Sequence, residues 1–172
     1  MVAGLVCIAG WAAAGRPGPF VFLLYVALVT GSLWRTDLRE RRLPNALVVP
    51  GYWFVIVGLV WEWARAGVSP LPALVAGVAY AGVLAAPALV GGVGMGDVKL
   101  GGMLGLALGS LGPIPALVGP VTAFVGGGVA ALAALSVPGT RSTHELPFGP
   151  FMLGGFWLAV VTDAATLLTT PT

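Results

Sequence analysis

Two aspartates are the residues of this sequence whose type and surroundings could carry out a reaction. Asp37 lies in the charged stretch RTDLRERRLPN (35–45), and Asp97 lies in the glycine-rich stretch GGVGMGDVKL (91–100). Two carboxylates at close range cannot easily both ionise, so one holds its proton and acts as an acid while the other acts as a base. Such a pair can deprotonate water, direct it to a peptide carbonyl and support the developing oxyanion, as in an aspartic protease.

The composition places both aspartates in a membrane protein. Of the 172 residues, 58% are hydrophobic and 8% are charged, and the mean hydropathy is +1.01. A soluble domain has about a quarter of its residues charged, so water could not solvate the surface of this chain. The net charge of +2 is too small to indicate nucleic-acid binding. The single cysteine, Cys7, excludes an intramolecular disulfide and a multi-cysteine zinc site.

Long apolar runs predict an all-α protein, a polytopic membrane bundle of six or seven transmembrane helices. The whole chain, 1–172, is predicted to be a single membrane-embedded domain, in which 1–15 would add an N-terminal span with a short apolar part at 2–14. Six longer spans are predicted at 19–36, 46–64, 73–90, from Asp97 to the stretch GSLGPIP, at 116–135 and at 150–168.

The basic residues orient these spans. With the N-terminus in the cytoplasm, three loops face inward and hold six of the eight basic residues, as the positive-inside rule requires. These loops are residues 35–45, 91–99 and 136–149. Asp37 and Asp97 are separated by two full spans and therefore reach the same membrane face, although ordinary juxtamembrane charges could also do so. Glu62, near the outer end of the third span, is expected to be solvated.

Glycines and a lysine surround Asp97 and are candidates for binding substrate or shaping the site. Gly94 and Gly96 permit close backbone approaches, so a substrate strand could lie against this loop and form main-chain hydrogen bonds. Lys99 follows Asp97 by two residues and is expected to point to nearly the opposite side of the helix. It would then be a lysine that reaches the membrane interface, or one that contacts an acidic substrate residue or a lipid headgroup.

The glycines continue along the helix that begins at Asp97, in a pattern that we term the glycine face. The glycine face consists of Gly101, Gly105 and Gly109. Small residues at this spacing let helices pack closely in lipid, and the Asp37 helix is a candidate neighbour. An alanine at Gly105 is expected to be mild because it is still small. A chain with 27 glycines could also produce the spacing by chance.

Prolines flank two further candidate segments. Pro44 and Asn45 are expected to start the third span, with the proline ending the loop and the asparagine suited to the helix cap. Pro147, Gly149 and Pro150 are expected to shape the start of the last span and could border the site, although a turn alone would explain them.

Three motifs resemble segments of the type IV prepilin peptidases, which are membrane aspartic proteases. GMGD is similar to their GxGD signature, and GMGDVKLGGMLGLALG (94–109) resembles the segment around their second catalytic aspartate. TDLRERRLPN (36–45) resembles their first-aspartate segment, and LPFGPFMLGG (146–155) resembles the element before their last helix. The resemblance implies that Asp37 and Asp97 are the catalytic pair.

The resemblance also implies an activity and a location. The expected reaction is removal of the short basic leader from prepilin-like precursors at the cytoplasmic face of a prokaryotic inner membrane. The chain resembles the small forms associated with Flp/Tad pili or archaeal preflagellins, because the paired cysteines of the larger, methylating enzymes are missing. A prepilin-like substrate and membrane lipid are the expected partners. His144 and Glu145 do not begin an HExxH motif, and neither a metal nor a cofactor is expected.

Two other functions fit part of the pattern. A presenilin-like protease would cut within a transmembrane helix, but Thr36 precedes Asp37 where that family has tyrosine, and Asp37 lies in a basic loop. A small proton channel or transporter could use Asp37 and Asp97 as relays. Transporters commonly show internal repeats with sites at the membrane midplane, whereas this sequence shows no repeat and both aspartates lie near one interface.

Overall fold

The computed structural model describes residues 17–40, 43–90, 93–136 and 147–169. Within these ranges the chain forms six α-helices and no strand. The helices are Pro17–Glu40 (α1), Asn45–Ala66 (α2), Leu71–Leu89 (α3), Met95–Leu111 (α4), Pro113–Leu135 (α5) and Gly149–Thr169 (α6). The all-α prediction is confirmed, and each of the six longer predicted spans coincides with a helix. The predicted short span at 2–14 lies outside the described residues.

Four of the helices are long and apolar enough to cross a membrane, which supports the prediction of a membrane protein. They are α1, α2, α3 and α5. These helices expose large apolar side chains on their outer surfaces, including Trp53 on α2 and Val78 on α3. Such side chains are stable in contact with lipid, so a continuously apolar run can form a helix that is only partly buried by protein.

Helix α4 is the central element of the bundle. It contacts every other helix, and its residues from Leu100 to Gly105 are all buried. Gly94 is its N-cap residue, with an extended backbone, and Gly112 ends it. The first turn of this central helix carries Asp97, so the packing of five neighbours determines where that carboxylate lies.

The glycine face packs against α3. A methyl group added at Gly105 would lie 2.7 Å from the Ala76 carbonyl oxygen, and one added at Gly109 would lie 2.7 Å from the Ala73 Cα. The backbones of α3 and α4 are therefore in direct contact, as expected for small residues in a membrane bundle. The neighbour of the glycine face is thus α3, and the Asp37 helix α1 is not the helix that these glycines contact most closely.

Glu62 is buried and is not the solvated helix end that the sequence predicted. Its side chain is only 9% exposed, and its Oε1 accepts a hydrogen bond from the backbone N–H of Gly18 at 3.1 Å. Gly18 lies in the first turn of α1, where backbone N–H groups have no partner within the helix. The carboxylate also lies at the positive end of the α1 dipole. Glu62 therefore joins α2 to the start of α1.

Replacing Glu62 with Ala should lower the free energy of unfolding by about 1–3 kcal/mol, because the buried Gly18 N–H loses an acceptor. Glu62→Gln should be milder, since the amide oxygen can still accept that hydrogen bond. Thermal unfolding of both variants in detergent would measure the difference. Equal stability of the wild type and Glu62→Ala would contradict this role.

Candidate active site

Asp37 lies in the last turn of α1 and is held by the start of α6. Its side chain is 4% exposed, and its Oδ2 accepts a hydrogen bond from the backbone N–H of Gly149 at 3.0 Å. Gly149 is the first residue of α6, so this N–H is one of the donors that a helix leaves without an internal partner. The positive end of the α6 dipole also faces the carboxylate. Residues 112 positions apart in sequence thereby meet.

The contact with Asp37 explains why residue 149 is a glycine. A methyl group added at Gly149 would lie 2.7 Å from the Asp37 Oδ2 and 3.0 Å from its Cγ. Any larger residue would therefore displace the carboxylate or α6. The sequence placed Gly149 only at the border of the site, whereas the structure places it in direct contact with Asp37.

Asp97 is the third residue of α4 and is held by the start of its own helix. Its Oδ2 accepts a hydrogen bond from the backbone N–H of Gly94 at 3.3 Å. An acidic side chain that reaches back to the N-cap in this way satisfies a free helix donor. Asp37 and Asp97 therefore share an arrangement, since each carboxylate receives a backbone N–H from a helix start.

The two carboxylates line one cavity of about 300 Å³. The described residues around it are Asp37, Leu43, Asn45, Gly94, Met95, Gly96, Asp97 and Lys99. Six of the predicted site residues therefore line this cavity: the two aspartates, the two glycines, the lysine and the asparagine. Gly149 is not among the lining residues and contacts the site through Asp37. Leu43 and Met95 were not predicted, because an apolar side chain next to a polar motif carries no signal in an apolar sequence.

Gly96 allows the start of α4 to approach the segment before α2. A methyl group added at Gly96 would lie 3.0 Å from the Leu43 Cβ and 3.4 Å from its backbone nitrogen. The close approach that the sequence attributed to a substrate is made here by the chain itself. This contact joins the segment after Asp37 to the helix that carries Asp97.

Lys99 does not point away from the site, as its position two residues after Asp97 predicted. It lines the same cavity, and its Nζ donates a hydrogen bond to the Asn45 Oδ1 at 3.1 Å. The cavity lies at the start of α4, where a long side chain from another face of the helix can also reach it. The Tyr52 hydroxyl donates to the Lys99 carbonyl at 2.6 Å and further joins α2 to α4.

The prolines have structural positions. Pro44 is the N-cap residue of α2, and its carbonyl accepts hydrogen bonds from the backbone N–H groups of Leu47 and Val48. Asn45 is therefore the first helical residue and not the cap, which leaves its side chain for Lys99. Pro147 and Pro150 flank Gly149 and are not among the residues around the cavity.

Residues 41–42, 91–92 and 137–146 lie outside the described part of the chain, and with them His144, Glu145 and several of the basic residues that predicted the orientation. Within the described part, no three His, Cys, Asp or Glu side chains form a group that could hold a metal ion.

The sequence was compared with known protein families, curated proteins and solved structures. The model of the type IV leader peptidase family matches residues 20–135, which include Asp37 and Asp97. No curated protein and no solved structure matches the chain. Because the family match covers well over half of the sequence, and two of the three motifs lie within it, this chain belongs to the type IV leader peptidase family.

Proposed function

We propose that this chain is an aspartic endopeptidase that removes the short basic leader from prepilin-like precursors, with Flp/Tad-type pilins as the substrate class. Its family is one of leader peptidases, which supports the class of reaction. The single observation that carries the aspartic mechanism is that Asp37 and Asp97, from two different helices, line one cavity. The Flp/Tad-type assignment rests on the resemblance of the motifs, together with the single cysteine of residues 1–172.

In the proposed mechanism the two carboxylates share one proton. The ionised carboxylate takes a proton from water while the water oxygen attacks the carbonyl carbon of the scissile peptide. The protonated carboxylate donates a hydrogen bond to the developing oxyanion. Collapse of the tetrahedral intermediate breaks the C–N bond, and a proton passes to the leaving amine. The hydrogen bonds from Gly149 and Gly94 hold the two carboxylates in place.

The other cavity residues are proposed to bind or position the substrate. Gly94 is exposed at the rim, where the lack of a side chain leaves room for an extended peptide. Lys99 and Asn45 are hydrogen-bonded to each other. The ammonium group of the lysine and the side-chain amide of the asparagine can both contact polar groups of the substrate. Pro44 and the prolines on either side of Gly149 shape the site by fixing the starts of α2 and α6.

The site is proposed to face the cytoplasm, in the inner membrane of a prokaryote. The basic loops around both aspartates support this orientation. Trp61 and Trp63 lie at the opposite end of α2 from Asn45 and would mark the other membrane interface, where an aromatic belt is also expected.

Incubation of the purified protein in detergent with a candidate prepilin tests this function. Mass spectrometry should show a single cut that separates the basic leader from the hydrophobic segment, and serine- or thiol-directed reagents should not prevent it. A cut within the hydrophobic segment would instead favour the presenilin-like alternative. An intact precursor, together with proton flux in vesicles, would favour the channel or transporter.

Gly149→Ala should lower the rate of leader removal by about 100-fold, the loss expected when a reacting group moves by about 1 Å. The added methyl group would displace the Asp37 carboxylate, which lies 2.7 Å from its position. Gly154→Ala on the same helix is a matched control, because nothing lies within 4 Å of a methyl group there. Similar rates for both variants would show that the contact with Asp37 does not position the carboxylate.

A further inference from the structure

Tyr80 differs from the other two tyrosines of the chain in its hydrogen bonding. The Tyr25 and Tyr52 hydroxyls each donate to a backbone carbonyl at 2.6 Å. Tyr80, on α3, is 4% exposed, and its buried hydroxyl makes no hydrogen bond to any residue that the structure describes. A buried hydroxyl without a partner costs free energy, and a phenylalanine would fill the same space without that cost.

The ring of Tyr80 lies beside the part of α4 that carries Asp97. A methyl group added at Gly101, one helical turn after Asp97, would lie 3.6 Å from the Tyr80 Cδ2, so the ring packs against the turn of α4 that follows the aspartate. On its other side Tyr80 faces the Phe124 ring, with centroids 6.3 Å apart. It lines an apolar cavity of about 500 Å³ among α3, α4 and α5, and it is not among the residues around the cavity that holds the aspartates.

These positions leave the hydroxyl one useful partner. The described residues around the apolar cavity offer it no charged side chain, whereas the neighbouring helix α4 carries the Asp97 carboxylate one turn before the residue that the ring contacts. A phenol donates readily to an ionised carboxylate, and such bonds are stronger than those between neutral groups. A peptide that fills the polar cavity would exclude water from Asp97, which lines it, so the carboxylate would then need another donor.

We propose that Tyr80 is a positioning residue, whose hydroxyl donates a hydrogen bond to the Asp97 carboxylate when substrate occupies the polar cavity. The inference rests on the proposed peptidase function. Tyr80 holds the carboxylate from the side opposite the substrate, and the Gly94 N–H holds it from the start of the helix.

The test is a comparison of Tyr80→Phe and Tyr25→Phe with the wild type, by steady-state cleavage of a prepilin and by thermal unfolding. Tyr80→Phe should lower kcat about 10-fold, the loss expected for one hydrogen bond to a charged group, with KM unchanged and Tm no lower than that of the wild type. Tyr25→Phe should lower Tm and leave kcat unchanged, because it loses a hydrogen bond to Leu47, and neither residue is among those around the polar cavity.

A kcat of Tyr80→Phe within twofold of the wild type would overturn the inference. A parallel fall of kcat and Tm would also overturn it, since Tyr80 would then act through packing. In both cases the wild type cleaves, so the proposed function stands. A wild-type protein that cleaves no prepilin overturns the proposed function and this inference with it.

Discussion

Replacing Asp37 or Asp97 with Asn should lower the rate of leader removal by about 1,000-fold or more, since each substitution removes general acid or base catalysis. An asparagine cannot take a proton from water, and it cannot share one with a neighbouring carboxylate. Its side-chain oxygen can still accept the hydrogen bond from Gly149 or Gly94, so both variants should remain folded. Mass spectrometry of the prepilin would measure the rate, and thermal unfolding would measure the fold.

Asp163→Asn provides the matched control for this prediction. Asp163 lies on α6, 14 positions after Gly149, and is not among the residues around the cavity. Its replacement should leave cleavage close to the wild-type rate. Normal leader removal by either of the Asp37 and Asp97 variants would rule out the two-carboxylate mechanism.

Gly105→Leu should prevent α3 and α4 from packing, and Gly105→Ala should lower the free energy of unfolding by about 1–3 kcal/mol, as overpacking does. The sequence alone predicted a mild effect of alanine, but the structure contradicts this. A methyl group at Gly105 would lie 2.7 Å from the Ala76 carbonyl oxygen and 2.9 Å from the Gly77 Cα. These are backbone atoms of α3, so α3 and α4 would have to move apart, which would displace Asp97 on α4.

Gly82→Ala is the matched control for the glycine face. Gly82 lies on α3, and nothing lies within 4 Å of a methyl group added there. Thermal unfolding and leader cleavage of both alanine variants would show whether the glycine spacing is needed for helix packing or only reflects a glycine-rich composition. If Gly105→Ala were as stable and active as Gly82→Ala, the spacing of the glycines would be a result of composition alone.

The helices could be predicted from the sequence because each apolar run must satisfy its backbone hydrogen bonds within the membrane. The partner of the glycine face could not be predicted, since every helix of this chain is apolar and several carry small residues. Ala73 and Ala76 of α3 accept the close approach of Gly105 and Gly109, but alanines occur throughout the sequence. Only the folded arrangement distinguishes them.

The two aspartates could be predicted as a pair because topology alone brings them to one membrane face. Their hydrogen-bond partners could not all be predicted. The bond from Gly94 to Asp97 is local, within three residues, and belongs to a known helix-start pattern. The bond from Gly149 to Asp37 depends on how α6 packs against α1, and only the resemblance of the motif around Gly149 indicated that this segment belongs near the site.

Charged residues were the least predictable, because their environment depends on tertiary contacts. Glu62 lies between two tryptophans at a helix end, a position typical of solvated residues, yet it is buried against the start of α1. Lys99 was expected on the opposite side of its helix from Asp97, yet both reach the cavity at the start of α4. In both cases a neighbouring helix supplies a partner that the local sequence does not indicate.

The measurement that tests the central claim most directly is the residual cleavage rate of the double variant, which carries both Asp37→Asn and Asp97→Asn, compared with the rate of each single variant. Residues that act as one catalytic unit are strongly non-additive. The two-carboxylate account predicts that the double variant is no slower than the slower single variant, because either substitution alone already disables the pair. Losses that multiply in the double variant would contradict it, since the two aspartates would then act independently.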